Sequence, residues 1–173
     1  LDAKNTKNNG YPYGTVPQDG SQSTINYNHN SYYNRNILSS GFKAEFDINN
    51  YTLKSVMSYQ FLDDFQDIDQ DFTPDHLVYV TQDRNHHMLT QEINFSSPQN
   101  KRLEFVTGIF GFYQLRDKQV DVFYGEDAVP MFNLPSEMQK IKKYDKTTGG
   151  FAFFGQMSYQ NFLIENLEAT AGL

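Results

Sequence analysis

Gly41-Phe42-Lys43-Ala44-Glu45-Phe46-Asp47-Ile48-Asn49-Asn50-Tyr51-Thr52-Leu53-Lys54 is the stretch on which the fold turns. Phe42, Ala44, Phe46 and Ile48 alternate with Lys43, Glu45 and Asp47. A period of two marks a strand with one greasy and one wet face. Asn49-Asn50 supplies residues that tolerate positive φ, as a two-residue hairpin turn demands. The alternation then resumes, with Tyr51, Leu53, Met57, Tyr59 and Phe61 on one face and Thr52, Lys54, Ser58 and Gln60 on the other. A β-hairpin over 41–48 and 51–62 is predicted.

Outward from this hairpin the same period recurs. Leu89, Ile93 and Phe95 alternate with Thr90, Glu92 and Asn94, ending a strand over about 79–96. Ser97-Pro98-Gln99-Asn100-Lys101 reads as a second short turn. A strand over about 102–124 places Leu103, Phe105, Ile109, Tyr113 and Leu115 together. Val106, Phe110 and Phe112 blur its opposite face, and Gly108 and Gly111 mark a bend or a close approach of other backbone. Phe151, Phe153, Met157 and Tyr159 oppose Gln156, Ser158 and Gln160 in a strand over about 147–161. Leu167, Ala169, Ala171 and Leu173 oppose Glu168 and Thr170 in another over 167–173. Residues 1–36 carry no period and are rich in Asn, Gly, Pro, Ser and Tyr, so they read as an extracellular-type loop.

The connections alternate in length: short at 49–50, long at 63–78, short at 97–101, long at 125–145 and short at 162–166. Tight turns on one rim and long loops on the other are the habit of outer-membrane barrels. Strands of soluble sheets average about 5–6 residues, whereas crossing a bilayer takes about 9–11. The expected fold is all-β: an antiparallel up-and-down meander of about six strands over 37–173, part of a transmembrane β-barrel. Six is below the known minimum of about eight for closure. The remaining strands are accordingly expected outside this chain.

Composition narrows the function. The 173 residues carry 14 Lys+Arg against 21 Asp+Glu, a net charge of −7, so no nucleic-acid partner is expected. Lys140, Lys142, Lys143 and Lys146 read as a solvated cluster in a polar connection. Cysteine is absent, which excludes disulfides, thiolate metal sites and cysteine nucleophiles. Leu1-Asp2-Ala3-Lys4 has neither the charged nor the apolar region of a signal peptide. Phe and Tyr, 15 and 12 in number, make up 16% of the chain without any Trp. Barrels use such rings as girdles at both membrane interfaces.

Thr90-Gln91-Glu92-Ile93-Asn94-Phe95-Ser96-Ser97-Pro98, followed by Leu103-Glu104-Phe105-Val106-Thr107-Gly108-Ile109-Phe110, resembles the barrel domain of TonB-dependent outer-membrane receptors. Tyr51-Thr52-Leu53-Lys54-Ser55-Val56-Met57-Ser58-Tyr59 resembles the strand preceding it in that family. Phe153-Phe154-Gly155-Gln156-Met157-Ser158-Tyr159 and Leu167-Glu168-Ala169-Thr170-Ala171-Gly172-Leu173 resemble two later ones. The likeness spans about residues 37–173 and points to the siderophore-receptor-like branch. It implies energised uptake across the outer membrane of a bacterium. A scarce ligand, such as a ferric siderophore, cobalamin or a glycan, would bind in the extracellular loops. A plug would then be pulled by the TonB complex. No plug, TonB box or closing terminal aromatic is visible, and nothing catalytic carries over. Neither an enzyme nor a cofactor is expected.

Candidate site residues follow. Tyr11, Tyr13, Tyr32 and Tyr33, with Tyr27, could stack on a sugar or an aromatic chelate, or pack the loops against each other. Asp67 and Asp69 lie in an acidic run reaching Asp75 that invites a calcium reading, but it lacks the glycine turn and terminal Glu of an EF-hand. Phe42, Leu53, Ile93, Phe153 and Leu167 lead the faces expected to meet lipid, while Glu45, Glu92 and Glu104 face the lumen. His86 and His87 are adjacent on a strand and point apart, and His29 and His76 sit in separate loops; no metal site is expected. Two other classes fit the alternation: a passive porin, and a soluble β-rich ligand-binding or adhesin module.

Overall fold

The structure, a computed structural model, describes residues 1–14, 24–99, 101–161, 164–165 and 167–173. It is one antiparallel sheet whose strands follow chain order: β1 (Asp2–Asn9), β2 (Tyr32–Ile48), β3 (Tyr51–Asp69), β4 (Val78–Ser96), β5 (Leu103–Tyr124), β6 (Met138–Gln160) and β7 (Glu168–Gly172). Among the described residues one short helix, α1 (Ala128–Met131), sits between β5 and β6. The expected all-β meander is what forms, with one strand more, and the sheet does not close on itself.

The central hairpin forms as its residues dictate. Asn49 and Asn50 both take positive φ, 50° and 68°, giving the tight turn that matches strand twist. Thr52 Oγ1 donates to Asp47 Oδ1 at 2.7 Å across the mouth of that turn. Pairing then runs from Ile48↔Tyr51 to Tyr32↔Asp67 without a skipped residue, and the β3–β4, β4–β5 and β5–β6 ladders are equally continuous. Side-chain parity is therefore kept from one end of the sheet to the other.

Strand limits differ from the sequence reading where both faces are wet. Residues 1–36 are not all loop, because Asp2–Asn9 pairs with Tyr32–Ser39. The connection expected over 63–78 shrinks to 70–77, since Asp63–Asp69 continue β3. The lysine cluster lies not in a connection but inside β6, which begins at Met138 rather than 147. Alternation of greasy and polar residues reports only the part of a strand that has a greasy side. Beyond it, backbone bonds to a neighbour hold the ladder whatever the side chains. Of the turn expected at 162–166, residues 162, 163 and 166 lie outside the described residues, as do 15–23 of the first loop and residue 100.

Almost nothing is buried. Among the described residues Val80 and Ala128 are the only apolar ones in a core, while Phe151, Phe153 and Phe42 are 80%, 68% and 64% exposed. A one-layer sheet has no second layer to bury its greasy side. The blurred face of β5 is explained by local packing. A Cβ on Gly108 would stand 2.6 Å from the Phe154 ring, and one on Gly150 would stand 2.8 Å from the Phe112 ring. Those rings lie down over the glycines. Gly111 has only ordinary contacts, and no close approach occurs there.

Candidate functional site

Register sorts the side chains into two surfaces. One carries Phe42, Ala44, Phe46 and Ile48 of β2, then Leu53, Met57 and Phe61 of β3. It continues through Leu89, Ile93 and Phe95 of β4, Ile109, Tyr113 and Leu115 of β5, and Phe151, Phe153 and Met157 of β6. Phe42, Leu53, Ile93 and Phe153 thus share a face. Leu167 stands just ahead of β7, in the turn, with its amide on the Ile164 carbonyl at 3.3 Å. In β3 this apolar band runs from Tyr51 to Phe61, about 11 residues, a length suited to a bilayer crossing.

The band is bordered by rings, and several of its polar groups bond within the sheet. Near the short turns Tyr51 stacks on Phe95 at 5.4 Å, with Phe105 beside both. At the other border Tyr59 Oη and His87 Nδ1 are 2.8 Å apart. Within the band Gln91 Nε2 donates to Ser55 Oγ at 2.9 Å, and Thr107 Oγ1 donates to the Phe154 carbonyl at 3.1 Å. Polar groups that find partners in the sheet need none from the surroundings, as an apolar medium requires. One row beyond Phe61 the surface changes abruptly: Asn36, Asp63, Asn85, Asp117 and Asp145 stand side by side in register.

The opposite surface mixes charged and polar side chains with apolar ones, among them Val106, Phe110, Phe112 and Phe154. Glu45 pairs with Lys43 at 2.6 Å, Glu92 accepts from Asn94 Nδ2 at 2.6 Å, and Glu104 sits beside Ser158 in register. The two neighbouring histidines part company, His86 on this side and His87 on the other. Above the level of the band, Asp64 Oδ2 accepts from Arg35 Nη2 at 3.1 Å and from Arg84 Nη2. Burial alone would raise the Asp64 carboxyl, but hydrogen bonds from Arg84, Arg35 and Tyr33 outweigh it and hold the group below its ordinary value. Arg35 also lies 5.2 Å from the Tyr33 ring.

At the rim the candidate residues separate into groups. Tyr11 and Tyr13 stack at 6.5 Å, and Phe72 meets Tyr13 and Tyr27 edge-on at 5.1 and 6.2 Å. Gly10 turns the chain into this cluster with φ of 80°, and Tyr27 Oη accepts from the Tyr11 amide at 3.0 Å. The rings therefore pack loop on loop. Tyr32 and Tyr33 go to opposite faces: Tyr32 stacks on Phe65 at 5.5 Å, whereas Tyr33 joins Arg35. Asp67 Oδ1 lies 2.7 Å from His29 Nε2, and His29 stacks on Tyr79 at 4.1 Å. Asp69 is 1% exposed and accepts from the amides of His29 at 3.2 Å and Phe72 at 2.8 Å. Asp71 similarly accepts from the amides of Thr73 and Val78, both at 2.9 Å. Two carboxylates of the acidic run thus cap backbone.

Two features escaped the sequence reading. The Arg35–Asp64–Arg84 knot joins three strands, and only register reveals it. The cations of β5 and β6 were legible in principle, because Lys140, Lys142 and Lys146 keep a period of two that Lys143 breaks. No family model matches the chain, and no curated protein matches it.

Proposed function

We propose that this chain is wall and rim of a bacterial outer-membrane β-barrel, in a receptor of the TonB-dependent kind that takes up a scarce ligand. The observation that carries the membrane half is the apolar band, continuous in register over β2–β6, bordered by rings and backed by a polar surface. A contiguous greasy face of this extent has to be covered. Lipid suits it for three reasons. The band has the length of a crossing. Gln91, Ser55 and Thr107 within it are hydrogen-bonded inside the sheet. Carboxylates begin one row past Phe61 and stay out of it, and the amide of Gln91 within it is bonded to Ser55. A soluble module would need a second layer, and Val80 and Ala128 do not supply a core. Further strands of the same barrel would flank β1 and β7, since about eight is the smallest number that closes.

The transport half rests on the sequence resemblance of residues 37–173. The polar surface then lines the lumen, the short turns face the periplasm, and the Tyr11–Tyr13–Phe72 rim faces outward. Full-length protein in vesicles, labelled with a fluorophore at Phe153→Cys, should be quenched by brominated lipid and not by a soluble quencher. The reverse result would exclude the wall. Ligand uptake that persists in cells lacking the TonB complex would exclude energised transport and favour a passive pore.

A further inference from the structure

Charge above the apolar band is sorted by face. On β5 and β6, Arg116, Lys118, Lys140, Lys142 and Lys146 all fall on the polar surface. Asp117, Asp121 and Asp145 fall on the other, and Lys143 stands there among Asp83, Asp117 and Asp145. In a chain of net charge −7 this leaves a local cationic surface. Among the described strand residues above the band, Asp64 is its carboxylate, and Arg35 and Arg84 already occupy it. No carboxylate of the described residues pairs with the five cations.

Their placement is unfavourable in isolation. Arg116 and Lys146 are direct cross-strand neighbours, and Arg116 is also opposite His86. Like charges so placed repel unless a counter-charge lies over them. Asp117 and Asp145 repeat the juxtaposition on the far side, but there Lys143 is at hand. On the polar surface only solvent screens these largely exposed cations, and an anion laid over them would relieve their repulsion. We propose, resting on the lumen assignment above, that these cations bind a small ligand or chelate carrying several carboxylate or phosphate groups. Residues two apart on a strand are about 6.5 Å apart, so Lys140 to Lys146 extends about 20 Å. A single small anion would engage only part of that length, whereas a multivalent one bridges it. Tyr144, in register with Lys118, supplies a ring midway.

The test is a titration of the full-length protein in neutral detergent with citrate, alongside sucrose as an uncharged control and phosphatidylglycerol as a lipid source of phosphate. Citrate should bind and sucrose should not. Arg116→Gln, Lys142→Gln and Lys146→Gln should each weaken citrate binding, and together should do so about tenfold or more, while Lys143→Gln changes it less than about twofold. The single variants keep the test decisive if the triple one fails to fold. Lys143→Gln acting as strongly as Lys142→Gln, absence of any effect of the three, or a response to phosphatidylglycerol alone would each overturn the proposal. Quenching by brominated lipid at Phe153→Cys, read in the same protein, separates the two ideas. Quenching without a citrate response removes only the anion site, and a citrate response without quenching removes only the wall.

Discussion

Asp64 of β3 takes the guanidinium of Arg84 from β4 while its own side chain is almost shut off from water. Arg35 reaches the same oxygen from β2, so one carboxylate ties three strands at the level where the apolar band has ended. Asp64→Ala leaves both guanidiniums facing each other without a counter-charge. Because each arginine is about one-third exposed, solvent offsets part of the loss, and about 1–2 kcal/mol is expected. Urea unfolding of the reconstituted protein would measure it; an unchanged midpoint would show the knot to be decorative.

Acid should loosen the same place. The carboxyl of Asp64 is held below its ordinary value when folded, so the folded state binds its proton less readily than the unfolded one. Its contribution is complete above the unfolded value of about 4 and disappears as pH falls through the folded one. Amide exchange in β3 near Asp64 should accelerate in that acid range in the wild type. In Asp64→Asn the same amides should show no such acid step, and a step of equal size there would assign it to another group.

Ile109 belongs to the middle row of the band, with Ile93 on one side and Phe153 on the other. Ile109→Arg puts a charge at what the membrane reading makes the bilayer midplane, for which about 2–4 kcal/mol is expected. Ala152→Ser, on the polar surface, should cost far less. Folding yield into vesicles against urea compares the two, and equal tolerance of both would count against lipid on the Ile109 side.

Gly108→Ala tests how the rings of the polar surface lie. The added methyl would meet the Phe154 ring and the Ile93 carbonyl at 2.6 and 2.7 Å. Backbone has to move, and a loss of about 1–3 kcal/mol is expected. Gly111→Ala, whose nearest neighbour would be the Gly150 carbonyl at 3.7 Å, should be nearly silent. A reversed ranking in thermal unfolding would contradict the packing described for Phe154.

What could be read from the residues alone follows from where a greasy side exists. The hairpin at Asn49-Asn50 and the shared face of Phe42, Leu53, Ile93 and Phe153 were legible because lone polar residues separate apolar ones. Asp2–Asn9 has no apolar alternation to show, and its strand state depends on a partner thirty residues away. Asp63–Asp69 and Met138–Lys146 were obscured in the same way, because both their faces are wet. At the rim, residue types suggested stacking but not the partners: Phe72 gathers Tyr13 and Tyr27, and Asp69 is buried against the His29 and Phe72 amides. Tyr32 and Tyr33 separate by parity only once β2 is seen to begin at Tyr32, inside the segment whose composition reads as loop.

The unbroken ladders have a genetic consequence. Adding or deleting one codon within β5 would exchange the two sides of every later residue of that strand, sending Arg116 to the apolar side and Asp117 to the polar one. The same change within 125–137 would be absorbed by the connection. Length variation among natural versions of this sheet should therefore gather at its connections, and lesions inside its strands should come in pairs that restore the frame of the faces.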